Sequence, residues 1–254
     1  MMAINSDKIK KEFLRIKNLG FVENVKSDLN DGGAGNTFEY HLGVKENNSK
    51  DPDFEGFEVK TKKQLTHSAM SLFTKKPSSG EYDDNYMRNE FGRPDTNYPN
   101  VKGLRTSLYA HRFSVVYDKY KMKIEVDRNI KRLKLLVYDL DENLIDDNVY
   151  WDFDIIKNAS DIKLQNMFAV SAETKKINNK DHFHYTDALV FTGYKGFEHF
   201  LNLVDEGVIR YDNRLGVNGP SRGKLAGKPH NHGGGLRINP KDIYRLFDNK
   251  VEVD

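Results

Sequence analysis

The chain has 254 residues, of which 37% are hydrophobic and 11% aromatic, enough to bury a sizeable core in one large domain or two lobes. It has no cysteine, which excludes a disulfide framework and any thiolate metal site and suits a reducing compartment. The net charge of +2 is unevenly spread: residues 59–77 hold five lysines and no acid, residues 209–241 hold seven Lys/Arg against one Asp, and residues 139–154 are strongly acidic. Segregation of this kind implies a one-sided field that attracts a polyanion, or simply solvated faces.

The opening "MMAINSDKIKKEF" has no apolar signal region, and no run approaches about eighteen apolar residues, so a cytoplasmic protein is expected. Residues 6–19 read as a first helix, with Ile9, Phe13 and Ile16 on one face and Gly20 as its stop. The stretch "DGGAGNTFEYHLGV" reads as a Gly-rich turn feeding a short helix that carries Glu39. In "GFEVKTKK", Phe57 and Val59 alternate with Glu58 and Lys60, a strand signature, and a second strand falls near 69–75. Residues 78–103 are too long for an ordinary loop and suggest a functional excursion with a short helix near "NYMRNEF".

Three strand candidates follow at 112–118, 121–127 and 132–140, spaced as an antiparallel meander, and "NMFAVSAE" and "ALVFTG" are further apolar strands. Residues 196–207 form a helix with Phe197, Phe200, Leu201 and Val204 inward, and Asn239-Pro240 opens a last helix, "PKDIYRLF". The expected fold is mixed α/β around one central sheet.

The stretch "DPDFEGFEVKTKK" (51–63) concentrates the chemistry. On a strand, Glu58 and Lys60 share a face roughly 6.5–7 Å apart, and Asp53 at the strand entry can fold back towards it. Two carboxylates aimed at one point suit Mg²⁺, and a lysine beside them can orient a water or stabilise phosphate charge. This is the P-D-x(n)-E-x-K arrangement of a large nuclease superfamily, with four residues between Asp53 and Glu58. In a chain that is 31% charged the bare pattern arises easily by chance. The Pro before Asp53, the following Thr-Lys-Lys, and Glu39 upstream as a third acid strengthen it.

The histidines form two strand-spaced pairs, His182/His184 and His230/His232. A zinc site lacks a nearby third ligand in either case. The first pair reads as structural or solvent-facing. The second lies in a basic, Gly-rich run ending at Arg237, where imidazole and guanidinium donors can read the acceptor edge of guanine, or where a loop contacts phosphate alone.

Taken together, these segments resemble the MvaI and BcnI group of type II restriction endonucleases. The likeness runs through "TFEYHLGVKENNSKDPDFEGFEVKTKKQLTHSAMSLFTKKP", "NYMRNEFG", "DNVYWDFD", "FAVSAETK" and "GKPHNHGGGLRIN" in that order, and is closer to the MvaI branch. It implies a PD-(D/E)xK core, with a central mixed sheet flanked by helices and two lobes around a DNA cleft. The division expected is a catalytic lobe at 1–110 and a meander plus recognition lobe at 111–254.

By position, the resemblance implies Glu39, Asp53, Glu58 and Lys60 as catalytic, with Asp53, Glu58 and Glu39 at the metal. Arg214, Lys228, His230, Asn231, His232 and Arg237 fall in the recognition segment. Lys62, Lys63, Lys75 and Lys76 are, from the residues themselves, candidate phosphate contacts or else solvated surface lysines. Mg²⁺ is the implied cofactor, with Mn²⁺ substituting and Ca²⁺ supporting binding without cleavage. The implied partners are double-stranded DNA and, functionally, a cognate methyltransferase in a bacterial cytoplasm. The implied activity is monomeric nicking, one strand at a time, within a CCNGG-type site such as CCWGG. Asn231 stands where the family segment carries an acid, which changes an acceptor-only group into one that also donates. A weaker likeness runs to the MutH mismatch-repair nickase, and a catalytically inactive DNA-binding module is the alternative from another class.

Overall fold

The structure, a computed structural model, describes residues 5–26, 32–44, 51–64, 68–231 and 234–253. In chain order the first elements are α1 (Asp7–Lys17), β1 (Val22–Glu23), α2 (Gly33–His41), β2 (Glu58–Lys63), β3 (Met70–Thr74), α3 (Asp84–Phe91) and β4 (Arg93–Pro94). Then come β5 (Lys102–Leu108), β6 (Ser114–Val116), β7 (Tyr120–Asp127), β8 (Arg132–Tyr138), β9 (Leu144–Asp146), β10 (Tyr150–Asp152) and α4 (Phe153–Lys163). The rest are β11 (Asn166–Ile177), β12 (Lys180–Tyr194), α5 (Phe197–Asp205), β13 (Ile209–Val217), β14 (Pro229–Asn231), β15 (Gly235–Ile238) and β16 (Phe247–Val253). Among the described residues there are also 3₁₀ helices at Pro220–Leu225 and Pro240–Leu246.

These elements fall into two compact units, each assembled from separate stretches of chain. The first comprises Met1–Met70, Ala159–Gly196 and Pro240–Asp254, the second Ser71–Asn158 and Phe197–Asn239. Among the described residues three sheets form rather than the one expected. The mixed α/β class holds, and the sheet carrying β2 is mixed in the expected sense.

In the first unit the sheet order is β1-β12-β11-β2, with β16 against the other part of β12. β2 runs parallel to β11, while β1, β11 and β16 pair with β12 antiparallel. α1 buries Ile9, Phe13 and Ile16, the three positions its spacing selects, and the chain reverses at Gly20 with φ +68°. Phe13 meets Phe168 edge-on with ring centroids 5.9 Å apart, and Phe38 of α2 packs 4.9 Å from the Tyr185 ring. Phe57 and Val59, the apolar side of β2, join this same core. Each buried ring contributes roughly 1.5–3 kcal/mol of transfer free energy, so the strand's apolar face is what fixes its polar one.

In the second unit, β6, β7 and β8 form the expected meander, with β10 and β9 added to β8. A separate sheet has the order β3-β15-β13-β5-β4, with β14 on β13. The basic stretch 209–241 thus contributes three strands, β13, β14 and β15, to this sheet. The last expected helix is a 3₁₀ turn that gives way to β16, because Phe247 and Val253 are buried against β12. Among the described residues no helix is long and apolar enough to cross a membrane.

Candidate active site

The geometry at Asp53 begins with a turn. Glu55 and Gly56 both take positive φ (49° and 80°), and Phe54 and Phe57 exchange backbone hydrogen bonds of 3.1 and 2.8 Å across them. Such a two-residue turn doubles the chain back tightly and wants Gly at its second central position. The reversal lets Asp53 Oδ2 accept from the Val59 N–H at 2.9 Å, which pins the carboxylate beside β2.

Glu58 lies on the opposite face of β2 from the core but is only 4% exposed. Its Oε1 accepts from Lys60 Nζ at 2.6 Å. Its Oε2 is buried and accepts no hydrogen bond, although Lys163 Nζ stands 2.9 Å away as an ion pair. Lys163, at the end of α4, also donates to the Asp51 carbonyl at 3.1 Å. Lys163 was not anticipated from the sequence. Burial pushes the Asp53 carboxyl above the ordinary aspartate value and the Glu58 charge adds to the rise, opposed by the Val59 N–H and the ammonium groups of Lys60 and Lys163.

Asp53, Glu58 and Lys60 are thus brought together as the spacing expects. Among the described residues no group of three or more acidic or histidine side chains is placed to hold an ion. Glu39 lies on α2, close enough to Tyr185 that its charge, after burial, helps raise that phenol. The two-carboxylate set nevertheless suits a hard divalent cation. An oxygen-only donor pair with a buried carboxylate oxygen lacking a hydrogen bond is what Mg²⁺ completes with water and phosphate oxygens.

Lys62 shares the Glu58 face of β2 by alternation, and burial lowers its ammonium from the ordinary lysine range. Lys63 points the other way, with its ammonium 5.3 Å from the Phe183 ring centroid.

The second unit holds the recognition candidates. Along β13, Ile209, Tyr211, Asn213 and Leu215 are buried, leaving Arg210, Asp212 and Arg214 on the other side. Residues directly paired across antiparallel strands share a face. Arg214 pairs with Arg105 on β5 and Arg210 with Arg237 on β15, so four arginines and Asp212 occupy one sheet face.

Asp212 accepts from Arg210 Nε at 2.9 Å and lies 3.4 Å from Arg237 Nε. Arg237 is buried, and its guanidinium is pushed down by burial, then by Arg214 and Arg210, with Asp212 opposing. Arg105 lies across Gly216, where an added Cβ would sit 2.8 Å from its Nη2. Arg105, Arg210 and Asp212 were missed from the sequence.

On β14, His230 pairs with Gly216, and Asn231 donates to Asp84 at 2.6 Å. Lys228 is exposed, and its carbonyl accepts from Asn218 N at 2.9 Å. Lys75 is half-buried, with its carbonyl accepting from Trp151 Nε1 at 3.0 Å, and Lys76 is exposed. His232 lies outside the described residues. On β12, His182 Nδ1 is 3.1 Å from the Lys180 carbonyl and the His184 ring packs 5.4 Å from Phe21, in keeping with structural roles.

A carboxylate pair and a lysine, with Asp53 just before a strand of a mixed sheet and Glu58 and Lys60 on it, define a restriction-endonuclease-like nuclease core. The model of the MvaI/BcnI restriction endonuclease family matches residues 10–247, and the chain belongs to that family. It is accordingly a type II site-specific deoxyribonuclease that cleaves DNA. A solved complex of restriction endonuclease MvaI with its cognate DNA substrate is 29% identical, with a TM-score of 0.89 over 100% of both chains. MvaI in the absence of DNA is 27% identical, with a TM-score of 0.60 over 100% of this chain and 99% of that one. No match was found among the curated proteins.

Proposed function

We propose that the chain hydrolyses phosphodiester bonds of double-stranded DNA in a Mg²⁺-dependent reaction, at a short pseudopalindromic site of CCNGG type such as CCWGG. The reading further takes it to act as a monomer that nicks one strand at a time, in a bacterial cytoplasm alongside a cognate methyltransferase. The observation that carries the chemistry is the Asp53–Glu58–Lys60 set at β2, with both acids held beside one strand and a buried Glu58 oxygen without a hydrogen bond.

In this reading Asp53 and Glu58 hold the ion. When bound, it neutralises phosphate charge and lowers the pKa of attacking water. Lys60 is hydrogen-bonded to Glu58 and therefore fixed in direction. Its ammonium orients the water and offsets negative charge developing on the phosphate oxygens. The water oxygen bonds to phosphorus and gives up a proton, the bond to the leaving sugar oxygen breaks, and that oxygen takes up a proton.

The arginine face with Arg214 and Arg237, together with His230, Asn231, His232 and Lys228, supplies base and phosphate contacts. Lys62 and Lys75 add phosphate contacts. The solved relative in complex with its cognate DNA supports this assignment. The test is digestion of unmethylated phage DNA in Mg²⁺ followed by run-off sequencing of the ends. Ends within CCNGG sites support the reading, ends at unrelated sites overturn the site assignment, and nicks confined to GATC would favour a mismatch-repair type of activity.

A further inference from the structure

A lysine in the last turn of a helix is ordinarily a solvated partner for the helix's negative end. Lys163 is not placed that way. Its side chain is 20% exposed, its Nζ is 2.9 Å from Glu58 Oε2, and it donates to the Asp51 carbonyl at 3.1 Å. Those two contacts join the buried acid of β2 to the segment two residues before Asp53. Lys60 holds the other oxygen, Oε1, at 2.6 Å. The two carboxylates therefore face two ammonium groups, and the formal charges of the four side chains cancel.

A divalent ion added to that set would leave two uncompensated positive charges beside it. Of the two lysines, Lys60 makes a directed hydrogen bond to its oxygen, whereas the Lys163 contact with Oε2 lacks that geometry. Oε2 is thus the oxygen more easily surrendered.

We propose that Lys163 is a positioning residue that stands in for the divalent ion: it holds Glu58 and the Asp51–Asp53 segment together before metal binds and yields Oε2 to the ion. This rests on the reading of Asp53 and Glu58 as the metal pair. A lysine from outside the strand motif would then set both the rigidity of the metal-free site and the metal concentration at which it fills.

The experiment is Mn²⁺ titration of the full-length protein without DNA, read by loss of the free-ion paramagnetic resonance signal, with thermal melts of the metal-free protein in parallel. Lys163→Gln removes the charge and keeps a donor for the Asp51 carbonyl, and Lys163→Met removes both. The expected result is Mn²⁺ binding about tenfold tighter in Lys163→Gln, from loss of a competing charge at close range. The metal-free melting temperature should fall in both variants and fall further in Lys163→Met.

Unchanged or weaker Mn²⁺ binding by a folded Lys163→Gln would overturn the proposal while leaving the metal pair intact. Wild-type Mn²⁺ binding unaffected by Glu58→Gln would overturn the metal pair itself and the proposal with it. Should Lys163→Met fail to fold, Lys163→Gln decides the matter alone.

Discussion

Asn231 Nδ2 donates to Asp84 Oδ2 at 2.6 Å, so a carboxylate in the first turn of α3 sets the amide of a residue on β14. Asp84 is buried, and burial pushes its carboxyl up while the Asn231 bond pulls it down. An amide has interchangeable donor and acceptor ends until a neighbour fixes them; the acid-only acceptor turns the nitrogen of Asn231 towards α3. In Asp84→Asn the neighbour can donate as well as accept, and that selection is lost. If Asn231 reads a base, discrimination between cognate and single-mismatch duplexes should fall about tenfold, with affinity for random DNA unchanged. Competition mobility shifts in Ca²⁺ check this, and unchanged discrimination would remove Asn231 from the base-reading set.

The pH dependence of metal binding follows from Asp53, whose carboxyl is raised by burial and by Glu58. A raised carboxyl favours the protonated form in the fold, so its contribution to metal-free stability is present below the ordinary aspartate value and lost as pH rises through the folded one. Metal requires the carboxylate, so below the raised value each binding event releases a proton. Mn²⁺ affinity should then fall by about tenfold per pH unit on the acid side. Asp53→Asn should abolish specific metal binding and melt higher than wild type at neutral pH without metal. Titrations at stepped pH with parallel melts test both, and a pH-independent affinity on the acid side would contradict the metal role of Asp53.

Arg237 is crowded by Arg210 and Arg214, and Asp212 opposes their charge. A buried arginine held against like charge is poised for a strong anionic or acceptor partner. Arg237→Ala should weaken specific binding by ~1–3 kcal/mol, as loss of a bidentate base contact does, and should leave thermal stability without DNA nearly unchanged because the repulsion also goes. An equal loss on cognate and random duplexes would make Arg237 a phosphate contact.

Lys60→Met removes the ammonium hydrogen-bonded to Glu58 and should lower the cleavage rate by about 1000-fold, corresponding to several kcal/mol of transition-state stabilisation. Site-specific binding in Ca²⁺ should persist. Single-turnover cleavage and mobility shifts separate the two; loss of both together would make Lys60 a structural partner of Glu58.

Much of the candidate site is visible in the linear sequence because it is built locally. The turn at Glu55-Gly56, the apolar Phe57 and Val59 and the polar Glu58 and Lys60 lie within a few residues, and period-two alternation sorts them by face. α1 is legible for the same reason, through Ile9, Phe13 and Ile16.

What is hidden depends on pairing at long range. Lys163 meets Glu58 from more than a hundred positions away, and nothing in "FDIIKNASDIK" marks its last lysine. The alternation of Ile209, Tyr211 and Leu215 was present, but the polar Asn213 in the buried row masks it, so β13 reads as a basic run. Arg105 joins Arg214 through strand pairing that no local pattern encodes.

The most direct measurement is a time course of supercoiled plasmid cleavage in Mg²⁺ by wild type and Glu58→Gln, with binding of both measured in Ca²⁺. Wild type should yield nicked circles and then linear DNA, while Glu58→Gln should bind and leave the plasmid supercoiled. Cleavage by Glu58→Gln at the wild-type rate would contradict the metal pair at β2 and place the catalytic centre elsewhere.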